Sequence, residues 1–317
     1  MTISSAIEQA ARLLWRHKLL AALGILDVIL TSSGLASRAV GGLLADFFVQ
    51  IPAMRPFMAP FAGAAPTPLI RIGQLGELYR RVSPYGVPGW IGLIVGIVVA
   101  LIALAVIGLV IEGGVIAAVD RAADEKPITL GDVSAAGWRR ILPMVVIASI
   151  PAIPETVGAA LVVGIGTLIV QNAGGLAALG ASPGLMQHTI GTLALLAFAI
   201  LGPLGLITFP LALLSVLAYR ACILGGLNAF AAFRQAWSAL RNNPGPALAL
   251  VAVSYGVSLL AGAVGYLPGL LADLFLPAIV LLWLIDGVAR AYYLALWTVG
   301  WRVMAAGNQT GRDVASG

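Results

Sequence analysis

Residues 90–111 read WIGLIVGIVVALIALAVIGLVI, an uncharged run preceded by Pro88 and Gly89 and closed by Glu112. An α-helix rises about 1.5 Å per residue and needs roughly 20 apolar residues to cross about 30 Å of hydrocarbon. The run is long enough. A membrane β-strand would instead show about 10 residues of alternating polarity, a pattern absent here. Comparable runs recur along the chain. The sequence therefore predicts an all-α, polytopic integral membrane protein with six transmembrane helices, at roughly 19–36, 90–111, 141–170, 190–218, 246–267 and 275–300. Residues 1–317 read as a single membrane domain with an outer segment at 37–89. The third span is the least regular, because Pro143, Pro151 and Pro154 remove backbone donors and favour kinks.

Composition agrees. The 317 residues are 60% hydrophobic and 10% charged, with a mean hydropathy of +1.01, against about 45–50% apolar and 25% charged in soluble domains. The net charge of +5 does not point to nucleic acid, because its placement has a membrane explanation. Arg12, Arg16, Lys18, Arg121, Lys126, Arg139, Arg140, Arg220, Arg234, Arg241, Arg302 and Arg312 fall inside if both termini are cytoplasmic, and Arg38, Arg55, Arg71, Arg80 and Arg81 fall outside. The positive-inside rule then predicts a multi-pass protein of the bacterial cytoplasmic (inner) membrane, N-in and C-in. The excess of arginine over lysine, with abundant alanine, glycine and leucine, points to a bacterial, GC-rich genome. The single cysteine, Cys222, excludes an intrachain disulfide or a cysteine metal cluster. The N-terminal stretch contains Glu8 and reads as an amphipathic helix, so the first apolar segment is expected to stay as an anchor.

Three stretches share a pattern. SAIEQAARLLW ends at Trp15, TLGDVSAAGW at Trp138 and NAFAAFRQAW at Trp237; each opens on a residue able to cap a helix, and Ser5 with Glu8 and Thr129 with Asp132 have capping-box spacing. Basic residues follow each tryptophan: Arg16 and Lys18, Arg139 and Arg140, Arg241. Indole rings sit well at headgroup level, and arginine or lysine keeps its charge among lipid phosphates while its stem stays apolar. Anchoring alone accounts for the pattern. The further expectation is three tandem units, each a short cytoplasmic lead-in helix plus a transmembrane hairpin. In the outer segment, PTPLIRIGQLGELYRRV is amphipathic and is read either as lying flat on the outer leaflet or as an ordinary loop packed on helix ends.

The stretches ARLLWRHKLLAALGIL, GGVIAAV, TLGDVSAAGWRRIL and AFRQAWSALRNNP give the chain its resemblance to poorly characterised bacterial six-span membrane proteins, those similar to the glycerophosphoryl diester phosphodiesterase membrane domain. The resemblance covers most of the chain as architecture rather than as a sharp motif. It implies a helical membrane module without an established activity. The soluble phosphodiesterase domain that accompanies some members is not expected here, since little chain follows Trp301.

Ionisable residues inside spans are costly in hydrocarbon and are the best site candidates: Asp27, Glu155, Asp286 and Arg290. Counted from the basic borders at about 1.5 Å per residue, they occupy overlapping depths of roughly 14 to 24 Å. Asp286 and Arg290, at i and i+4, are expected to neutralise each other; the alternative has Arg290 reaching Asp27 or Glu155. Glu155, beside prolines, reads as a lone polar residue satisfied by freed backbone or water, or else as a proton- or cation-responsive carboxylate. Glu112 reads as an inner-border residue with no special role. In the second span, Gly92, Gly96, Ala100 and Ala103 line one face and are expected to admit another helix of the same chain.

Neither His17 nor His188 offers a metal pair, and no HExxH, GxSxG or GxxxxGK[ST] occurs. No enzyme activity, metal or cofactor is expected. The expected partners are the lipid bilayer and other membrane protein subunits. The functional expectation is a structural, accessory or assembly role; the alternative is a transporter or channel for a small or lipid-like solute using buried acids in proline-broken helices.

Overall fold

The computed structural model describes residues 3–30, 86–172, 183–271 and 276–316. Every regular element among them is a helix: α1 Ile3–Arg16, α2 Lys18–Leu30, α3 Gly86–Ala123, α4 Leu130–Arg139, α5 Ile141–Asn172, α6 Pro183–Gly225, α7 Ala229–Asn242, α8 Pro244–Leu271 and α9 Leu276–Ser316. Five described helices are long and apolar enough to cross a membrane, over Ile102–Ala123, Ile141–Ile169, Gly191–Gly225, Pro244–Tyr266 and Val280–Ala305. The expected first span is described only as far as Leu30, and most of the outer segment lies outside the described residues.

Three helices are short and amphipathic: α1, α4 and α7. Each is separated from a long or apolar helix by a single residue, His17, Arg140 or Asn243. The reason differs at each start. Thr129 caps α4, its hydroxyl accepting from the Asp132 N–H at 3.2 Å, and the Asn228 side chain accepts from the Ala231 N–H at 2.9 Å ahead of α7. Ser5 is not a cap, because α1 already begins at Ile3, and Glu8 instead pairs with Arg12 at 2.6 Å one turn on. Asp132 likewise does not return to the cap backbone. Its carboxylate accepts from the Thr129 hydroxyl at 2.8 Å and pairs with Arg121.

The chain divides into two compact units. The first comprises Met1–Ile141, Ile223–Gly226 and Ser238–Gly317. In it α9 is the central element, packed on α1, α2, α3 and α8, while α4 lies on α3. Glycine sets the closest approaches. A Cβ on Gly24 would fall onto the Gly287 carbonyl and Ala291, and one on Gly287 onto the Ile25 backbone, so α2 and α9 touch through their main chains. Gly114 and Gly137 do the same for α3 and α4, against Val133 and Val110. Between α8 and α9, buried Trp297 donates its indole N–H to the Ser254 hydroxyl at 2.8 Å.

The small-residue face of α3 lies nearer its start. Gly92, Gly96 and Ala103 are exposed, and nothing described lies within 4 Å of a Cβ placed on Gly92 or Gly96. The Ala100 side chain lies outside the described residues. Small residues permit close approach but do not choose the partner. No described helix lies against a Cβ placed on Gly92 or Gly96.

The second unit comprises Leu142–Cys222 and Leu227–Trp237. Its α5 and main part of α6 run antiparallel: Gly158 faces Leu201 and Leu204, Gly166 faces Leu193, and the Ser215 hydroxyl reaches the Ile147 carbonyl at 3.5 Å. That carbonyl is the one whose helical donor Pro151 removes. Helix α5 thus runs through Pro151 and Pro154 as one element, with Pro143 tolerated in its first turn. Arg220, read from sequence as an inner border residue, is fully buried on α6 and donates to the Val216 carbonyl at 2.6 Å.

Candidate functional site

The Gly24 and Gly287 contact brings α2 and α9 together one helical turn before Asp27 and Arg290. Arg290 Nε donates to Asp27 Oδ2 at 2.8 Å, and its Nη2 donates to Glu112 Oε2 of α3 at 3.3 Å. Its guanidinium also lies 5.6 Å from the Tyr293 ring centroid. One arginine thus joins three helices. Asp27 is fully buried and Glu112 nearly so, while the Arg290 side chain retains 30% exposure.

The pairing differs from the preferred sequence expectation. Arg290 turns to Asp27 and Glu112, not to Asp286 four residues earlier on its own helix. An i, i+4 pair on one helix needs no tertiary structure, but two acids presented by neighbouring helices supply a closer, better buried set of acceptors. Asp286 is half-buried on α9. Glu155 lies on α5, where its side chain falls outside the described residues. Glu112 was the residue missed. The signal was present: VIAAV follows it and continues the apolar helix to Ala123, so Glu112 is flanked by hydrocarbon-compatible residues on both sides.

A second layer of charge closes one end of the first unit. Arg302 of α9 donates to Asp120 and Asp124 at 2.7 Å each, Lys126 pairs with Asp124 at 3.1 Å, Arg16 with Glu125 at 3.4 Å, and Arg121 with Asp132. Hydrogen bonds from Arg302 and Lys126 hold the Asp124 carboxyl below its ordinary value. The Thr129 hydroxyl, then Arg121, does so for Asp132. Counted along each helix from Lys18, Asp120 and Arg302, Asp27, Glu112 and Arg290 lie roughly 14, 12 and 18 Å from this layer. That is about half of a 30 Å hydrocarbon core.

The expected anchors distribute as follows. Trp15, Trp138 and Trp237 are all strongly exposed, at 88%, 57% and 56%. Arg16 is committed to Glu125, and Arg139 Nε donates to the Ala135 carbonyl at 3.2 Å. Lys18 begins α2, Arg241 lies in the last turn of α7, and Arg140 is the single residue between α4 and α5. Among the described residues no group of three or more His, Cys, Asp or Glu side chains is placed to hold a metal ion. No protein-family model, no curated protein and no solved structure matches the chain at a significant level.

Proposed function

We propose that the protein is a non-catalytic module of the bacterial inner membrane with a structural, accessory or assembly role, crossing six times with both termini cytoplasmic. The observation that carries this reading is the Asp27–Arg290–Glu112 pairing. Charges at mid-depth are committed to one another across three helices, as in a scaffold held in register. Broken buried pairs are costly, so such a set favours one helix arrangement over others. The three lead-in helices α1, α4 and α7 support a parse into tandem units, and the resemblance to the membrane domain of glycerophosphoryl diester phosphodiesterases is consistent with a helical module.

The bilayer and other membrane subunits are its partners in this reading. Affinity purification from native membranes, followed by native mass spectrometry in mild detergent, tests it. A co-purifying membrane protein at fixed stoichiometry is the expected result; a bare monomer counts against it. Transport of a small or lipid-like solute is the second reading, favoured by one observation: two carboxylates face one guanidinium in the cluster. Solute flux in reconstituted vesicles that is abolished by Asp27→Asn would replace the first reading with the second.

A further inference from the structure

At the charged end of the first unit lies a cavity of about 480 Å³, lined by Ala117, Asp120 and Arg121 of α3, Ala136 and Arg139 of α4, Arg140, and Ile223 and Leu224 of α6. Its charges are not equally occupied. Asp120 is held by Arg302, and Arg121 by Asp132. Arg139 gives one N–H to the backbone of its own helix. The Arg140 guanidinium has no hydrogen bond or ion pair with any described residue. It lies against Gly226, whose φ of +66 follows the end of α6, and a Cβ there would stand 2.9 Å from Arg140 Nη2. Glycine thus both makes the turn and leaves room for the guanidinium.

We propose that this cavity binds a phosphate group, carried by an anionic phospholipid headgroup or by a free phosphorylated solute. Three guanidiniums and one carboxylate leave the lining at net +2. The planar fork of arginine matches phosphate oxygens in pairs. The volume exceeds a bare phosphate and falls within the roughly 300–1,000 Å³ of small-molecule sites. Four aliphatic side chains complete the wall, suiting a glycerol backbone or other apolar part. By position in the chain, the cavity sits where the apolar spans of α3 and α6 end and that of α5 begins. Basic pockets at that level are where anionic headgroups bind. This site is independent of the Asp27–Arg290–Glu112 set and of the role proposed for it.

The test is native mass spectrometry of the full chain in mild detergent, titrated with phosphatidylglycerol, with cardiolipin and with phosphatidylcholine. The expected result is binding of the two anionic lipids over phosphatidylcholine, weakened by about tenfold or more in Arg140→Gln, the scale of one charge-assisted contact. Ala136→Phe, which fills the cavity and keeps every arginine, should weaken it similarly and decides the matter if Arg140→Gln does not fold. Displacement of the lipid by millimolar pyrophosphate assigns the site to a free phosphorylated solute; retention assigns it to lipid. Equal binding of anionic and neutral lipids together with no binding of pyrophosphate, or unchanged affinity in a folded Ala136→Phe protein, overturns the proposal.

Discussion

Gly24 of α2 rests its Cα against the main chain of Gly287 on α9, one turn from the point where Asp27 meets Arg290. The contact and the ion pair depend on each other. With larger side chains the two helices would stand apart, and Arg290 would lose its 2.8 Å bond to Asp27. Introducing Gly24→Leu or Gly287→Leu should therefore lower stability by about 1–3 kcal/mol or more, the usual cost of overpacking. Thermal unfolding in detergent measures it. Gly92→Leu, where no described residue lies within 4 Å of an added Cβ, should shift the midpoint little; an equal loss at Gly92 would take away the distinction drawn for Gly24 and Gly287.

Arg290 is the cation shared by two buried acids, so removing it deprives both of that partner. Arg290→Met should cost on the order of 3–5 kcal/mol, the range for breaking a buried pair. The triple change Asp27→Asn, Glu112→Gln, Arg290→Met leaves no stranded charge and should recover a large part of that loss. A double-mutant cycle between positions 27 and 290 should show strong non-additivity. If Arg290→Met alone is within about 0.5 kcal/mol of wild type, the cluster is not structural.

These particulars show what the sequence could and could not reveal. Five span positions were legible because hydrocarbon thickness imposes a run length that any apolar helix must meet. Asp27 and Arg290 were legible as costly residues, but not as a pair. Pairing is set by which helices touch, and that is decided by Gly24 and Gly287, two glycines among many in the sequence. Gly92 and Gly96 had better spacing and have no helix against them among the described residues. Glu112 was passed over because a single charge after an apolar run looks like a boundary, although α3 continues past it to Ala123. The Thr129 and Asn228 caps were readable, because capping is local; Ser5 was not, since α1 begins two residues earlier.

Acid should loosen the charged layer. Asp124 and Asp132 are held below the ordinary carboxyl value by Arg302 with Lys126 and by Thr129 with Arg121. A carboxyl whose pKa is lower in the folded state contributes stability that is present above the unfolded value of about 3.9 and is lost as pH falls through the folded value. The unfolding midpoint should thus begin to drop as pH falls toward the unfolded value of about 3.9 and go on dropping through the lower folded values. Asp124→Asn should start lower at neutral pH, drop less on acidification and meet the wild type at the acid end. Parallel curves for the two proteins would remove Asp124 from the account.

The final prediction concerns sidedness. The Arg16–Glu125 pair places the start of α2 at the same end of the first unit as the end of α3. Asp27 and Glu112 both meet Arg290, so α2 runs from that end alongside α3. The six-span reading proposed above, with both termini cytoplasmic, therefore makes a sidedness prediction. Single cysteines at Trp15, Trp138 and Trp237, in a Cys222→Ser background, read this directly with a membrane-impermeant maleimide. All three should react in inside-out vesicles and resist labelling in right-side-out ones, because Trp15, Trp138 and Trp237 each stand just before an apolar helix and are exposed. A cysteine at Arg55, in the outer segment, should show the reverse. If Arg55→Cys labels from the same side as Trp15→Cys, α2 does not lead across the membrane and the chain crosses five times.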